Sequence, residues 1–93
     1  MMKEEILLKA LGYVMASPYR LKIIKYIGDS VKMPSDIAKY MGISTNHVSN
    51  ILHDLKSSGM VVCINEEAHK GRLYKNTDLS RDILEYIINN MEL

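Results

Sequence analysis

The spacing of apolar positions divides the chain into segments. In residues 3–15 and again from 18 to about 27, apolar side chains recur every three to four residues, the period of an amphipathic helix. Ser17 and Pro18 mark the start of the second segment, because Ser caps a free backbone N–H and Pro suits the first helical turn. The pattern therefore predicts two amphipathic helices in the first 27 residues.

The next segment predicts two more helices joined by a tight turn. Residues 34–58 read as a helix to about residue 41, a turn at Gly42-Ile43, and a second helix from Thr45. Ala38 is small enough to let the helices cross, and Gly42 tolerates the left-handed conformation that ends a helix. Val48 supplies an apolar wedge between them. A helix-turn-helix of this form is a recurring DNA-reading device, whose second helix lies in the major groove.

After Gly59 the apolar period shortens to about two residues. Residues 60–64 are rich in β-branched side chains, residues 72–77 alternate, and the polar segment between them contains Gly. This pattern predicts a β-hairpin with a loop longer than two residues. One interpretation makes the short extended link 30–33 the lone strand of a small sheet. Residues 79–91 return to the helical period.

These elements define the predicted fold class, which is mostly α with a small β-hairpin. A helix-turn-helix (34–58) followed directly by a hairpin (60–77) is a winged helix. The helices at 3–15 and 79–91 are additions to that core, and we expect residues 1–93 to form a single domain.

The second helix of the motif has two chemically different faces. At about 100° per residue, its apolar side chains share one side. They are Val48, Ile51, Leu52 and Leu55. The opposite side carries short polar groups and lacks the Lys and Glu that usually fill an idle helix surface. These are Asn46, Ser49, Asn50 and His53. Asn can bond adenine through two hydrogen bonds, and Ser can bond a base edge or a phosphate. The alternative is a solvated face that happens to be rich in Asn and Ser.

Charge and composition narrow the class of protein. The net charge is +1, but residues 1–77 hold eleven Lys/Arg against seven Asp/Glu, whereas residues 78–93 hold one against four. A modestly basic body with an acidic last helix suits local phosphate contact and excludes a histone-like polycation. No apolar stretch approaches the roughly 18 residues that a membrane span needs, and the N-terminus differs from a secretory signal. We therefore expect a cytoplasmic protein that does not contact a membrane.

Catalysis, cofactors and metals find no support in the sequence. The motifs of hydrolases, nucleotide-binding enzymes and metalloproteases are missing, so no catalytic residue or cofactor is predicted. His47 and His53 are six residues apart on one helix and cannot share an ion, so no metal site is predicted. The lone Cys63 forms no intramolecular disulfide. A small buried hydrophobe is its default interpretation, and a redox-sensing thiol is the alternative.

Three segments carry a resemblance to a known family. Residues 16–27 (ASPYRLKIIKYI), 44–61 (STNHVSNILHDLKSSGMV) and 70–84 (KGRLYKNTDLSRDIL) are similar to small archaeal and bacterial regulators of the ArsR type, the last also to MarR-like proteins. The likeness covers about residues 16–84 and marks a winged helix-turn-helix transcriptional regulator of prokaryotic, by our expectation archaeal, type. Residues 31–41 lack the Cys-containing motif of the family's metal sensors, so metal sensing through that site is not expected.

The resemblance implies sequence-specific binding of double-stranded DNA. It implies base-edge contacts on the second helix, from Thr45, Asn46, His47, Ser49 and Asn50. It further implies backbone contacts from Ser35 and Lys56, and phosphate or minor-groove contacts on the wing from Lys70 and Arg72. The neighbouring Glu66 and Glu67 suit a phosphate poorly, so the wing tip tilts away from DNA or these two residues face solvent.

The added terminal helices suggest a homodimer. A helix that reads one short half-site binds weakly alone, whereas a two-fold dimer reads two half-sites. The resemblance likewise implies dimerisation through these helices. The candidate interface residues are Ile6, Leu7, Leu11, Ile83, Leu84, Ile87, Ile88 and Met91. The alternative is that the two helices only cover their own core. A rival function is a winged-helix protein-interaction module without DNA readout, and the sequence names no small-molecule effector for either function.

Overall fold

The computed structural model describes residues 3–90, and its elements follow the predicted order. The helices are α1 Lys3–Met15, α2 Pro18–Ile27, α3 Pro34–Met41, α4 Thr45–Ser57 and α5 Asp78–Asn90, with strands β1 Val61–Cys63 and β2 Tyr74–Asn76 between α4 and α5. The predicted mostly helical fold with a small hairpin is confirmed, and the helix bounds agree to within a residue or so.

Serine side chains cap the starts of α2 and α4, and the first of these caps is the one predicted at Ser17. The Ser17 hydroxyl accepts from the Tyr19 N–H at 3.3 Å, and the Ser44 hydroxyl accepts from the His47 N–H at 3.0 Å. Gly42 ends α3 with φ of 71°, a left-handed conformation that a side chain would strain. Ala38 is almost completely buried at the contact between α3 and α4. The helix-turn-helix geometry is therefore encoded locally.

The hairpin is antiparallel, and one residue of the link between α2 and α3 pairs with it. Val61 faces Asn76 and Cys63 faces Tyr74 in the register. Lys32 and Tyr74 form an isolated bridge, with N···O distances of 3.0 and 2.9 Å. The interpretation of residues 30–33 as a strand thus holds for one residue. Both strands are shorter than predicted, although single backbone bonds continue the pairing at each end. The Thr77 N–H donates to the Met60 carbonyl at 3.1 Å, and the Ile64 N–H donates to the Leu73 carbonyl at 2.9 Å.

One apolar core joins all five helices of residues 3–90 to the hairpin. Its buried members are Val14, Ile23, Ile24, Ile27, Ile37, Ala38, Val48, Leu52, Leu55, Met60, Val61, Tyr74, Ile83 and Ile87. The apolar face of α4 supplies three of them, as predicted, and its Ile51 is half-buried.

Two of the candidate interface residues belong to this core. Ile83 and Ile87 have no exposed surface, because their side of α5 packs on the chain's own body. They cannot touch a partner, and their assignment to a dimer interface was wrong. Ile88 lies on the other side of α5 and is 68% exposed. Met91 lies outside the described residues.

A buried polar junction fixes the hairpin against the helices. The Asn76 amide donates to the carbonyls of Ile24 at 2.8 Å and Gly28 at 3.0 Å. The Ser80 hydroxyl, fully buried at the start of α5, donates to the carbonyl of Met60 at 2.5 Å. These bonds link the end of α2, the base of the hairpin and the start of α5. The wing is therefore held at a defined angle to α4.

Across residues 3–90, the helices are all too short or too polar to traverse a bilayer.

Candidate nucleic-acid interface

The polar face of α4 is exposed to solvent, as predicted. Each of its four polar side chains, from Asn46 to His53, has an exposed surface. Val48, Leu52 and Leu55 on the opposite side are completely buried. Burial of one face fixes the rotation of the helix about its axis. The direction in which the polar groups point is therefore set by the core.

A groove of about 500 Å³ lies between the start of α3, the exposed side of α4 and the wing. Six of the predicted DNA-contact residues line it: Ser35, Thr45, Ser49, Lys56, Lys70 and Arg72. These residues come from three elements that are far apart in sequence. The groove is also lined by His53, His69 and Tyr74, which were not among the predicted DNA-contact residues.

Three predicted base-contact residues lie on α4 outside this groove. Asn46, His47 and Asn50 are exposed on the helix surface. The His47 ring meets the edge of the Tyr19 ring, with centroids 5.2 Å apart and planes at 74°. Tyr19, in the first turn of α2, thus flanks the start of α4. No sequence signal identified it, because the contact joins residues 28 positions apart.

The loop of the wing is organised by side chains. The Arg72 guanidinium donates to the carbonyls of Ala68 at 2.8 Å and Glu66 at 3.0 Å. The Asn65 side chain donates to the Gly71 carbonyl at 3.1 Å and accepts from the Leu73 N–H at 2.7 Å. Arg72 therefore shapes the wing, a role that the sequence analysis did not assign. Its contact with phosphate stays a prediction.

Lys56 and Glu66 form an ion pair between the last turn of α4 and the wing. Both side chains are partly exposed, at 42% and 55%. This pair accounts for one of the two wing glutamates that suit a phosphate poorly. Glu66 neutralises a cation of the groove, whereas Glu67 is exposed and has no ion pair within residues 3–90.

Metal binding and the Cys63 thiol are the other candidate chemistry in the chain. Within residues 3–90, no three His, Cys, Asp or Glu side chains converge in a way that would hold a metal ion. Cys63 is half-buried rather than fully buried, and its thiol lies 3.6 Å from the Asn65 side-chain oxygen.

Comparison with known proteins identifies relatives of this chain. No protein-family model matches it. The chain is 30% identical over 83 residues to the HTH-type transcriptional regulator CmtR of Mycobacterium tuberculosis and of Mycobacterium bovis. Each alignment covers 89% of this chain and 70% of the relative.

Among solved structures, HlyU from Vibrio cholerae superposes with a TM-score of 0.75 at 19% identity, covering 99% of this chain and 100% of HlyU. Reduced HlyU gives a TM-score of 0.73 at 18% identity, covering 97% and 95%. At this identity, the likeness supports the fold alone.

These relatives are bacterial, and the expectation of an archaeal source finds no support in them. The identity to CmtR extends over most of both chains, including α4 and the wing. The chain therefore belongs to the family of helix-turn-helix transcriptional regulators that includes CmtR.

Proposed function

We propose that the protein is a transcriptional regulator of the ArsR type that binds double-stranded DNA in a sequence-specific manner. The observation that carries the proposal is the groove in which Ser35 of α3, Ser49 of α4 and Lys70 of the wing converge. Hydroxyl groups and cations at one concave surface are the donors that DNA phosphates and base edges require. The protein would act in the cytoplasm, where a bacterial chromosome lies.

Helix α4 is the proposed major-groove element. An α-helix with its side chains is about 10–12 Å across, close to the width of the major groove of about 12 Å. The exposed Asn46 and Asn50 would then face base edges, while Lys56 and Lys70 flank them toward the backbone. Phosphate contacts set the register of the protein, and base contacts select the sequence.

The composition of this surface disfavours a protein-interaction role. Interfaces between proteins are enriched in Tyr, Met and other large apolar groups. Of the large apolar side chains exposed in residues 3–90, none lies on α4. A polar α4 surface bordered by cations fits nucleic acid better than it fits a protein partner.

A homodimer is the proposed assembly. Ile6 and Leu8 of α1 and Ile88 of α5 are exposed apolar side chains on the two helices that are additions to the winged-helix core. Pairing two copies would cover these groups. It would also present two α4 helices to half-sites about 34–36 Å apart along one face of DNA.

The test is selection of bound duplexes from a pool with random cores, at about 50 mM salt and near-physiological salt, followed by sequencing. Enrichment of a two-fold-symmetric motif is the expected result. Binding without enrichment would contradict sequence-specific readout. Failure to bind at either salt concentration would contradict DNA binding itself.

A matched pair of serines tests the role of α4. Ser49→Ala should weaken binding to the selected duplex by about 0.5–1.5 kcal/mol, the contribution of one hydrogen bond, and should affect a scrambled duplex less. Ser57→Ala is the control, since Ser57 is exposed at the far end of the same helix and does not line the groove. Fluorescence anisotropy measures both. An equal loss on both duplexes would assign Ser49 to phosphate instead of a base.

A further inference from the structure

The Lys56–Glu66 ion pair lies at the edge of the proposed DNA-binding groove. Lys56 lines the groove from the last turn of α4, and Glu66 of the wing loop pairs with Lys56. The pair joins α4 to the wing, the two elements that DNA would contact together. Any phosphate that Lys56 binds must therefore compete with the Glu66 carboxylate.

Arg72 holds Glu66 in this position. Its guanidinium donates to the backbone carbonyl of Glu66 at 3.0 Å and to that of Ala68 at 2.8 Å. The loop conformation around Glu66 is thus fixed by a side chain of the returning arm of the wing. The loop thus sets the backbone position of Glu66, and its side chain reaches Lys56 from there.

The pairing alters the charge that the groove presents. Three permanent cations line the groove, namely Lys56, Lys70 and Arg72. Glu66 cancels one of them, and the loop carbonyls occupy part of a second. Lys70 is the one of the three without a carboxylate or backbone partner in the described part of the chain. The unbound groove is consequently less attractive to phosphate than its sequence implies.

We infer that Glu66 is a specificity-determining residue, which holds Lys56 away from phosphate on non-cognate DNA. This inference rests on the proposed function. An exposed ion pair is weak, so a phosphate brought close can displace the carboxylate. Loosely bound non-cognate DNA keeps water and salt between the partners, and at 0.15 M salt their attraction is screened over about 8 Å. Lys56 exchanges the Glu66 carboxylate for a phosphate only when base contacts bring α4 fully into the major groove.

The test compares salt dependence on the selected duplex and on its scrambled counterpart. Releasing Lys56 by Glu66→Gln should add one phosphate contact on scrambled DNA, which steepens the slope of log K against log salt by about 0.9. Between 50 and 200 mM salt, this difference lowers the variant-to-wild-type affinity ratio on scrambled DNA by about 3.5-fold. The slope on the selected duplex should change less, because Lys56 already binds phosphate there.

Two controls separate this role from general electrostatics. Glu67→Gln removes the same charge from the adjacent exposed residue and should leave selectivity as in the wild type. In a Lys56→Ala background, Glu66→Gln should no longer steepen the slope on scrambled DNA. Circular dichroism verifies that each variant is folded.

Equal effects of Glu66→Gln and Glu67→Gln, or equal slope changes on both duplexes, would overturn the role of Glu66 while leaving DNA binding intact. An effect that persists in the Lys56→Ala background would overturn it as well. A wild-type protein that binds neither duplex would instead overturn the proposed function, and this inference with it.

Discussion

Asn76 connects the wing to the body of the molecule through a single buried amide. It is 3% exposed, and its two N–H groups donate to carbonyls of Ile24 and Gly28 at the end of α2. Helix ends leave carbonyl groups without intrahelical partners, and a buried one needs a donor from elsewhere. Asn76 supplies that donor from β2. At the scale of the residue, it couples the C-terminal end of α2 to the orientation of the wing.

Replacing Asn76 should destabilise the whole domain. Asn76→Ala removes a buried hydrogen bond to Ile24 and leaves the half-buried Gly28 carbonyl without this donor, so we expect a loss of about 1–3 kcal/mol. Urea denaturation at fixed protein concentration measures it. Asn50→Ala, at an exposed position of α4, is the control and should change stability by less than about 0.5 kcal/mol. Equal urea midpoints for the two variants would show that the buried amide contributes nothing.

The helix-turn-helix and the wing differ in what holds them together. Helix α4 has a hydroxyl cap at Ser44 and an apolar face on which Val48, Leu52 and Leu55 are completely buried. The wing has two strands of three residues, and its loop depends on hydrogen bonds from Asn65 and Arg72. The loop between the strands is exposed over most of residues 66–72, and segments with few buried contacts open at low free-energy cost. At the scale of the element, α4 is rigid, whereas the conformation of the wing loop depends on hydrogen bonds from a few side chains.

Lys70 and Arg72 should therefore behave differently when replaced. Lys70→Ala should reduce the salt slope by about 0.9 on selected and scrambled duplexes alike, because it removes one phosphate contact. Arg72→Ala should also speed hydrogen exchange at the amides of residues 65–73, because it deletes two bonds to loop carbonyls. Anisotropy titrations and exchange mass spectrometry measure the two effects. A wild-type salt slope in Lys70→Ala would mean that Lys70 does not touch phosphate.

At the scale of the whole molecule, exposed apolar side chains lie on the terminal helices. Ile6 and Leu8 of α1 and Ile88 of α5 are 42%, 52% and 68% exposed. The two helices pack on each other in the structure. A groove with polar and apolar lining runs between them, from Leu7 to Tyr86. Ile88 lies outside this groove, in a hollow that it shares with Leu84 and Gly28 at the end of α2. The exposed apolar groups support α1 and α5 as the proposed dimer surface, with Ile88 in place of its buried neighbours Ile83 and Ile87.

Ile88 provides the test of the dimer. Burying one Ile contributes about 1.5–3 kcal/mol, so Ile88→Asp in both protomers should raise the dimer dissociation constant at least about tenfold. Val31→Asp is the matched control, since Val31 is 42% exposed in the link between α2 and α3. Sedimentation velocity over a concentration series measures both. A monomeric wild-type protein, or equal dissociation constants for the two variants, would contradict the proposed interface.

The sequence by itself determined the elements and their order. Local signals sufficed for this, because caps such as Ser44, the left-handed Gly42 and the period of apolar residues act within a few positions along the chain. The polar and apolar faces of α4 were predictable for the same reason. One buried face orients a helix, and its opposite face must then meet solvent.

Only the tertiary structure decided which groups meet across the chain. The stripe of α5 holds adjacent apolar residues, and periodicity could not tell that Ile87 faces the core while Ile88 faces solvent. The Lys56–Glu66 pair, the Tyr19–His47 contact and the bonds from Arg72 to the wing loop arise from packing or loop conformation, which carries no periodic signal. Sequence patterns record which residues must be buried, whereas the partners of exposed charges depend on where the folded elements place them.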